Sequence, residues 1–151
     1  MKHWDTYFMD LLPGIASQSQ DPNTQVGCII VATDNTIRST GFNRIPRGVS
    51  GSYAERYERP EKYLYFSHSE EFAICMAAKN GIALNDCRLY MSWFPCAACT
   101  RMIVNSGIVE LIYDATVKEK YGKTDKWEHE FEVATTMLLE AGVKLTPYTK
   151  K

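Results

Sequence analysis

The residues His68-Ser69-Glu70 and Pro95-Cys96-Ala97-Ala98-Cys99 enclose the stretch around which this chain is organised. Zinc in proteins is usually bound by thiolate sulfur and imidazole nitrogen in a tetrahedron. His68, Cys96 and Cys99 supply three such ligands, and no fourth is evident close to them in the sequence. Three protein ligands leave one position for water, which is typical of a catalytic rather than a structural zinc site. The stretch therefore predicts one catalytic zinc ion per chain.

Glu70 completes the chemistry that this pattern predicts. Zinc can lower the pKa of a bound water to about 7, so that a nucleophile is available at neutral pH. Two thiolates and a neutral imidazole cancel the zinc charge, so a neighbouring base is needed to activate the water. Glu70 follows His68 closely enough to move protons between that water and a substrate nitrogen. The combination of H-x-E and P-C-x-x-C is typical of zinc-dependent nucleobase deaminases.

Two other interpretations of the cysteine pair are less well supported. A C-x-x-C motif alone also fits a thioredoxin-like redox pair, but His68, Glu70 and the proline before Cys96 favour a metal site. A structural zinc site needs a fourth ligand. Cys75 cannot join His68 on one ion, because the intervening helix separates them by about 10 Å. The catalytic interpretation is therefore preferred.

The composition predicts one domain, residues 1–151, with a single hydrophobic core. The chain is 45% hydrophobic, and its net charge is −1. A near-neutral charge without a basic tail argues against nucleic acid as the main partner. No apolar run reaches transmembrane length and the start does not resemble a signal peptide, so we expect no membrane partner. We expect a reducing, cytoplasmic location, with Cys28, Cys75 and Cys87 as buried thiols.

Periodicity and turn residues divide the chain into helices and strands. The predicted strands are 26–32, 36–43, 88–93, 109–113 and 143–148. The predicted helices are one that begins near Trp4 and is kinked or ended by Pro13-Gly14, one over 69–80, one opened by Pro95, and one over 127–141. Residues 114–125 are predicted to be a polar loop. The first two strands form an antiparallel hairpin, and the later strands, joined through helices, are expected to be parallel. This order predicts an α/β fold, a three-layer α-β-α sandwich with a mixed five-stranded sheet.

Both metal-binding segments are predicted to lie at helix N-termini. His68 stands at the start of the helix over 69–80, and Cys96 and Cys99 are spaced to share one face of the helix that Pro95 opens. The positive end of a helix dipole favours thiolates and other anions. The predicted elements therefore bring the three ligands to a favourable electrostatic environment.

The segment 44–60 is predicted to be a long irregular loop that carries four arginines: Arg44, Arg47, Arg56 and Arg59. Loops of this length in compact domains are often functional. Arginine binds phosphate oxygens through two parallel hydrogen bonds, so one interpretation is a site for a nucleotide phosphate. The other interpretation is a solvated surface loop.

Segments outside the metal motif resemble one family. They are Trp4-Asp5-Thr6-Tyr7-Phe8-Met9, Asp21-Pro22-Asn23-Thr24-Gln25-Val26-Gly27, Gly41-Phe42-Asn43-Arg44-Ile45-Pro46, Trp93-Phe94-Pro95-Cys96 and Ser106-Gly107-Ile108. Together with the metal motif they extend over nearly the whole chain. On these segments the chain is similar to the deoxycytidylate (dCMP) deaminases, a branch of the cytidine deaminase superfamily.

The resemblance implies a reaction and a set of site residues. The implied reaction converts dCMP to dUMP and releases ammonia, with His68, Cys96 and Cys99 as zinc ligands and Glu70 as the proton shuttle. The residues predicted to bind the nucleotide are Asn43, Arg44, Arg47, Ser69, Phe94 and Pro95. The resemblance also implies a homo-oligomer, either a hexamer or a dimer. It further implies activation by a regulatory dCTP, bound with Mg²⁺, and inhibition by dTTP.

Three positions depart from the family pattern. Ser69 replaces the alanine of H-A-E, Phe72 replaces an asparagine, and Arg44 replaces the glycine of G-Y-N-G. We expect the zinc chemistry to be retained, whereas Phe72 and Arg44 leave base selection and dCTP control open. The alternatives are another zinc deaminase, acting on a free base, nucleoside, triphosphate or tRNA adenosine, and a non-enzymatic zinc or redox protein.

Overall fold

A mixed five-stranded sheet forms the centre of the computed structural model, which describes residues 1–151. The strands are β1 (Gly27–Val31), β2 (Ile37–Phe42), β3 (Arg88–Met91), β4 (Glu110–Asp114) and β5 (Lys144–Tyr148). Their order across the sheet is β2-β1-β3-β4-β5. β1 runs antiparallel to β2 and β3, whereas β3, β4 and β5 are mutually parallel. The predicted mixed sheet, with an antiparallel hairpin and parallel later strands, is confirmed.

Six α-helices surround the sheet. They are α1 (Trp4–Ala16), α2 (Lys62–Tyr65), α3 (Ser69–Lys79), α4 (Ala97–Asn105), α5 (Ala115–Tyr121) and α6 (Glu128–Glu140). None of them has both the length and the apolar character needed to cross a membrane. α1 covers one face of the sheet, and α3, α4 and α6 pack on the other. This arrangement is the predicted three-layer sandwich.

The side chains of each central strand alternate between the two faces of the sheet. On β3, Tyr90 packs with α1, whereas Leu89 and Met91 pack with the helices of the opposite face. On β4, Ile112 packs with α1, and Leu111 packs with the helices of the opposite face. Successive residues of a strand point to opposite faces, and here both faces are covered. The buried part of each central strand is therefore a continuous apolar run rather than an alternation of polar and apolar residues.

α1 does not end at Pro13, so the prediction of an early end is wrong. The helix continues to Ala16, and the Ser17 backbone N–H donates to the Pro13 carbonyl at 3.0 Å. Proline removes its own N–H from the helix and its ring crowds the carbonyl four residues earlier, so the helix needs other contacts to continue past it. The turn after it packs closely on the sheet: a Cβ at Gly27 would lie 2.9 Å from the Ala16 nitrogen. This packing holds the last turn of the helix in place.

α5 lies in the segment 114–125, which was predicted to be a polar loop, and that prediction is wrong. Asp114 is the N-cap of α5, and its carboxylate accepts hydrogen bonds from the N–H groups of Thr116 at 2.9 Å and Val117 at 3.2 Å. Aspartate at this position satisfies two of the free N–H groups of a first turn. Aspartate is a common N-cap residue and could have been recognised in the sequence. The polar residues that follow it favoured a loop, so the helix was not predicted.

The long loop over 44–60 is more ordered than predicted. Arg44 forms an isolated β-bridge with Ser67, and residues Ala54–Tyr57 form a 3₁₀ helix before α2. Lys62 of α2 is buried and forms an ion pair with the buried Asp21. This pair attaches the loop to the segment that leads into β1.

The three cysteines outside the metal motif do not share one environment. Cys28 and Cys87 are buried as predicted, but Cys75 is exposed on α3. The prediction that all three are buried is therefore wrong for Cys75. Its neighbours Ala73 and Ala77 face the core instead.

Candidate metal centre and catalytic cavity

The N-termini of α3 and α4 meet at the predicted metal site. His68 is the N-cap of α3 and Cys96 is the N-cap of α4, each with an extended backbone. Pro95 therefore precedes the cap and is not the first helical residue, which corrects the expected start of α4. The Cys96 sulfur accepts a hydrogen bond from the Cys99 N–H at 3.4 Å. The cap thus fixes the sulfur of Cys96 against the first turn of its own helix.

The side chains of His68, Cys96 and Cys99 converge on one point. His68 Nδ1 lies 3.4 Å from Cys96 Sγ and 3.4 Å from Cys99 Sγ. All three ligand atoms lie within 4.8 Å of one another. Tetrahedral zinc with its usual bond lengths to nitrogen and sulfur requires a separation of about 3.6 Å between such atoms. The donor atoms therefore have the type and the spacing that zinc needs.

The electrostatics of the two thiols also fit a bound cation. The pKa of the Cys96 thiol is lowered to about 4, first by its contact with Cys99 and then by its contact with His68. Burial alone would raise this pKa, but the two contacts outweigh it. Contact with Cys96 and burial raise the pKa of the Cys99 thiol. A second thiolate is opposed by the first when no positive charge lies between them. A divalent cation removes this penalty, because a coordinating thiol is deprotonated outright.

Glu70 lies in the first turn of α3 and is 3% exposed. The hydroxyl of the fully buried Ser69 donates a hydrogen bond to Glu70 Oε1. The Glu70 carboxylate is outside the group of ligand atoms, yet it lines the same cavity as His68 and Cys96. Its position suits a proton carrier beside the metal rather than a fourth ligand.

The metal site opens into a cavity of about 630 Å³. His68, Ser69, Glu70 and Cys96 lie on its lining, together with Asn43. The aromatic residues of the wall are Tyr63, Phe66, Trp93, Phe94, Tyr121 and Trp127. This volume lies within the usual range for a small-molecule site, and the mixture of aromatic surface and a few polar groups is typical of one. A larger, more open groove of about 770 Å³ between α5 and α6 contains none of the metal-site residues.

Asn43 is buried, and its side-chain amide forms hydrogen bonds with the backbone of the segment before β1. Its Oδ1 accepts from the Val26 N–H at 2.9 Å, and its Nδ2 donates to the Thr24 carbonyl at 2.8 Å. The side chain therefore holds the wall of the cavity in shape while one part of it faces the interior.

The four arginines of the long loop lie in different places. Arg44 and Arg47 do not line the cavity, and only Arg59 does. The Arg44 guanidinium lies 5.2 Å from the ring centroid of Phe72 and 5.7 Å from that of Phe42. The two largest departures from the family pattern, Arg44 and Phe72, thus pack on each other outside the cavity.

Among the other predicted nucleotide contacts, Ser69 and Phe94 line the cavity and Pro95 does not. Arg56 is held by local contacts, since its guanidinium lies 4.5 Å from the Tyr53 ring and 4.3 Å from the Tyr65 ring.

Several residues of the cavity wall were not predicted from the sequence. Lys62, Lys126 and Glu130 line the cavity. The Lys126 ammonium lies 3.7 Å from the ring centroid of Tyr63 and 4.8 Å from that of Trp127. The alternation of lysines with Tyr121 and Trp127 was the available signal. It crosses from the segment 114–125, predicted to be a polar loop, into the start of the predicted last helix, so it was not recognised as one pattern.

The sequence and the fold are similar to those of known deaminases. The family described as the cytidine and deoxycytidylate deaminase zinc-binding region matches residues 2–115. An uncharacterized deaminase in the luxG 3′ region of Aliivibrio fischeri is 36% identical over 95% of this chain and 92% of its own length. The deoxycytidylate deaminase of Homo sapiens is 33% identical over 98% of this chain and 81% of its own. The dCMP deaminase of the cyanophage S-TIM5, solved in apo form, shares the fold with a TM-score of 0.74 and 21% identity, over 98% of this chain and 100% of its own.

Proposed function

The chain belongs to the family of cytidine and deoxycytidylate deaminases that share this zinc-binding region, and we propose that it hydrolyses dCMP to dUMP and ammonia. The observation that carries the proposal is the convergence of the His68, Cys96 and Cys99 ligand atoms, beside a cavity of nucleotide size that Glu70 also lines. The near full-length similarity to deoxycytidylate deaminases supports the choice of substrate. We propose residues 1–151 as a single catalytic domain.

His68, Cys96 and Cys99 are the residues that would hold zinc. The metal supplies Lewis acidity, which lowers the pKa of a water molecule to about 7. The triad lies at two helix N-termini, where the helix dipoles stabilise negative charge. By holding the metal, these residues would set where water is activated for attack on C4 of the cytosine ring.

Glu70 holds and moves the protons of the reaction. Its carboxylate would carry one proton from the attacking water to ring N3, and then the second proton, from the hydroxyl formed on C4, to the exocyclic amino group, which leaves as ammonia. The overall reaction consumes one water and forms dUMP and ammonia, with no change of oxidation state. The Ser69 hydroxyl, which donates to Glu70 Oε1, keeps the carboxylate oriented during both transfers.

The 5′-phosphate is proposed to bind to the positively charged side chains of the cavity wall. Lys62 is already paired with Asp21. Arg59 and Lys126 also line the cavity and both lie near the ring of Tyr63, and Lys126 donates a hydrogen bond to the Tyr63 hydroxyl. Arg59 is the arginine of the long loop that remains a candidate for a bidentate phosphate contact. Asn43, Ser69 and Phe94 are proposed to contact the nucleoside from the walls.

Assembly, location and regulation follow from the family resemblance. We propose a cytoplasmic homo-oligomer, a hexamer or a dimer, which is activated by dCTP with Mg²⁺. Exposed apolar side chains on α1 and α6, such as Trp4 at 46% and Leu139 at 60%, supply surfaces that an oligomer would cover. Sedimentation equilibrium, and dCMP turnover with and without dCTP and Mg²⁺, test these proposals. A monomer whose rate does not respond to dCTP would contradict them.

A panel of substrates tests the proposed reaction. The purified protein is incubated with deoxycytidine, CMP, dCMP, dCTP and an adenosine-containing tRNA loop, and the loss of amine is measured for each. We expect dCMP to be turned over fastest. Preference for deoxycytidine, or turnover of the tRNA loop alone, would assign the chain to another branch of the superfamily.

A further inference from the structure

One face of α6 is fitted against the segment that carries the metal-binding cysteines. Trp127, immediately before the helix, and Glu130 and Phe131 lie on this face because their spacing corresponds to one helical turn. The Trp127 ring lies 6.2 Å from that of Trp93, and the Phe131 ring lies 5.1 Å from that of Phe94. The two aromatic contacts place the α6 face alongside residues 93–97.

Glu130 makes the polar contact of this face. Its Oε2 accepts a hydrogen bond from the Ala97 N–H at 2.7 Å. This is a short bond to a carboxylate, and such charge-assisted bonds are roughly twice as strong as neutral ones. Glu130 is partly buried and also lines the catalytic cavity. The bond therefore stands at the wall of the proposed active site.

The Ala97 N–H is the one that follows Cys96 directly. As the first residue of α4, Ala97 has no partner for its N–H within the helix. The Cys96 sulfur does not serve it, because the side chain of an N-cap residue reaches the N–H of the second or third helical residue, here that of Cys99. Glu130 thus satisfies the N–H beside a predicted ligand and fixes the Cys96–Ala97 peptide.

We propose that Glu130 is a positioning residue for the metal site, which holds the Cys96 turn in the geometry that zinc requires. This inference rests on the proposed function in assuming zinc at the triad. Glu130 itself lies beyond residues 2–115, which the family matches. Its carboxylate is not among the converging ligand atoms, so it acts through the backbone rather than on the ion.

Three variants of the zinc-loaded protein separate this role from others. Glu130→Ala removes the acceptor, Glu130→Asp keeps the charge but shortens the side chain, and Glu130→Gln keeps an acceptor at the same reach. Glu132→Ala is the matched control, because Glu132 is exposed on the same helix and does not line the catalytic cavity. Zinc affinity is measured by competition with a chromophoric chelator, and kcat and KM are measured for dCMP.

Loss of such supporting bonds typically weakens metal binding or activity by about 10–100-fold, and we expect about 10-fold weaker zinc binding for Glu130→Ala and Glu130→Asp. We expect a lower kcat in both, with KM nearly unchanged. Glu130→Gln keeps only a neutral acceptor, so its zinc affinity should fall between that of Glu130→Ala and that of the wild type. Glu132→Ala should match the wild type.

Wild-type zinc affinity in Glu130→Ala or Glu130→Asp would overturn the inference, whatever happens to activity. A higher KM with unchanged zinc affinity would instead make Glu130 a substrate contact. The chelator measurement needs no substrate, so it remains decisive if the wild type binds zinc and fails to deaminate dCMP. That outcome would contradict the proposed function alone.

Discussion

At the scale of single residues, we expect turnover to depend most directly on Glu70. We expect Glu70→Gln to retain zinc and fold normally but to lose about 10⁴-fold in turnover, the upper end for a general acid–base group, because glutamine cannot accept a proton from water. Glu71→Gln is the matched control, since Glu71 lies in the same first turn and does not line the cavity. If Glu70 were only a capping carboxylate, its variant would lose stability and keep its rate.

Cys96 and Cys99 determine whether the metal is bound. Each supplies one of three ligand atoms, so Cys96→Ala or Cys99→Ala should lose zinc and activity together. Elemental analysis of each purified variant measures the metal. Cys75→Ala is the control, because Cys75 is an exposed cysteine of the chain and should leave zinc unchanged. A Cys96→Ala/Cys99→Ala double variant that keeps its zinc would exclude this site.

Arg59 is expected to read the phosphate. A hydrogen bond to a charged group contributes roughly 1.5–3 kcal/mol, so Arg59→Ala should reduce kcat/KM for dCMP by about 10–100-fold and leave deoxycytidine nearly unaffected. Arg47→Ala is the control, since Arg47 is exposed and lies outside the cavity lining. An equal fall on both substrates would assign Arg59 a structural role.

At the scale of elements, the ion pair between Asp21 and Lys62 joins α2 to the segment before β1. Burial raises the pKa of Asp21, but the bonds from Lys62 and from the N–H groups of Asn23 and Thr24 outweigh it and hold this pKa below its ordinary value. A carboxyl whose folded pKa is lowered stabilises the protein above its unfolded pKa of about 3.9. That stabilisation is lost as the pH falls through the lower, folded value.

Asp21→Asn should therefore destabilise the protein most at neutral pH. Removing one partner of a buried pair costs about 3–5 kcal/mol, and the difference from wild type should shrink as the solution is acidified below pH 4. Urea unfolding over this pH range measures the free energy of unfolding of the variant and of the wild type. Both proteins lose zinc in acid, so this loss does not contribute to the difference between them. Adding Lys62→Met to Asp21→Asn should recover much of the loss. A difference that does not change with pH would exclude the carboxylate as its source.

Local sequence predicted the elements wherever one pattern dominated. The apolar strands were assigned correctly, because strand periodicity is a local property. The H-x-E and P-C-x-x-C segments stand at the starts of two helices, as predicted. α5 was missed because the cap at Asp114 is a single residue among polar neighbours. α1 was expected to kink or to end at Pro13-Gly14. It does not end there, because contact with Gly27 from a distant segment offsets the cost of proline.

At the scale of the whole molecule, the metal site was predictable and most of the substrate wall was not. The three ligands and Glu70 lie in two motifs whose spacing is fixed by α3 and α4. The wall instead combines Arg59 and Tyr63 with Lys126 and Glu130, which come together only when α2 and α6 pack around the same cavity. Local sequence patterns do not indicate that these distant segments pack together. Arg44 and Arg47 were therefore predicted as nucleotide contacts, and Lys126 was not.

The rate of dCMP deamination as a function of zinc content per chain tests the central claim most directly. Preparations with graded zinc content are assayed for dUMP and ammonia under one set of conditions. We expect the two products in equal amounts, at a rate that rises in proportion to zinc and levels off at one ion per chain. Deamination that does not depend on zinc, or a fully loaded protein that releases no ammonia from dCMP, would contradict the account.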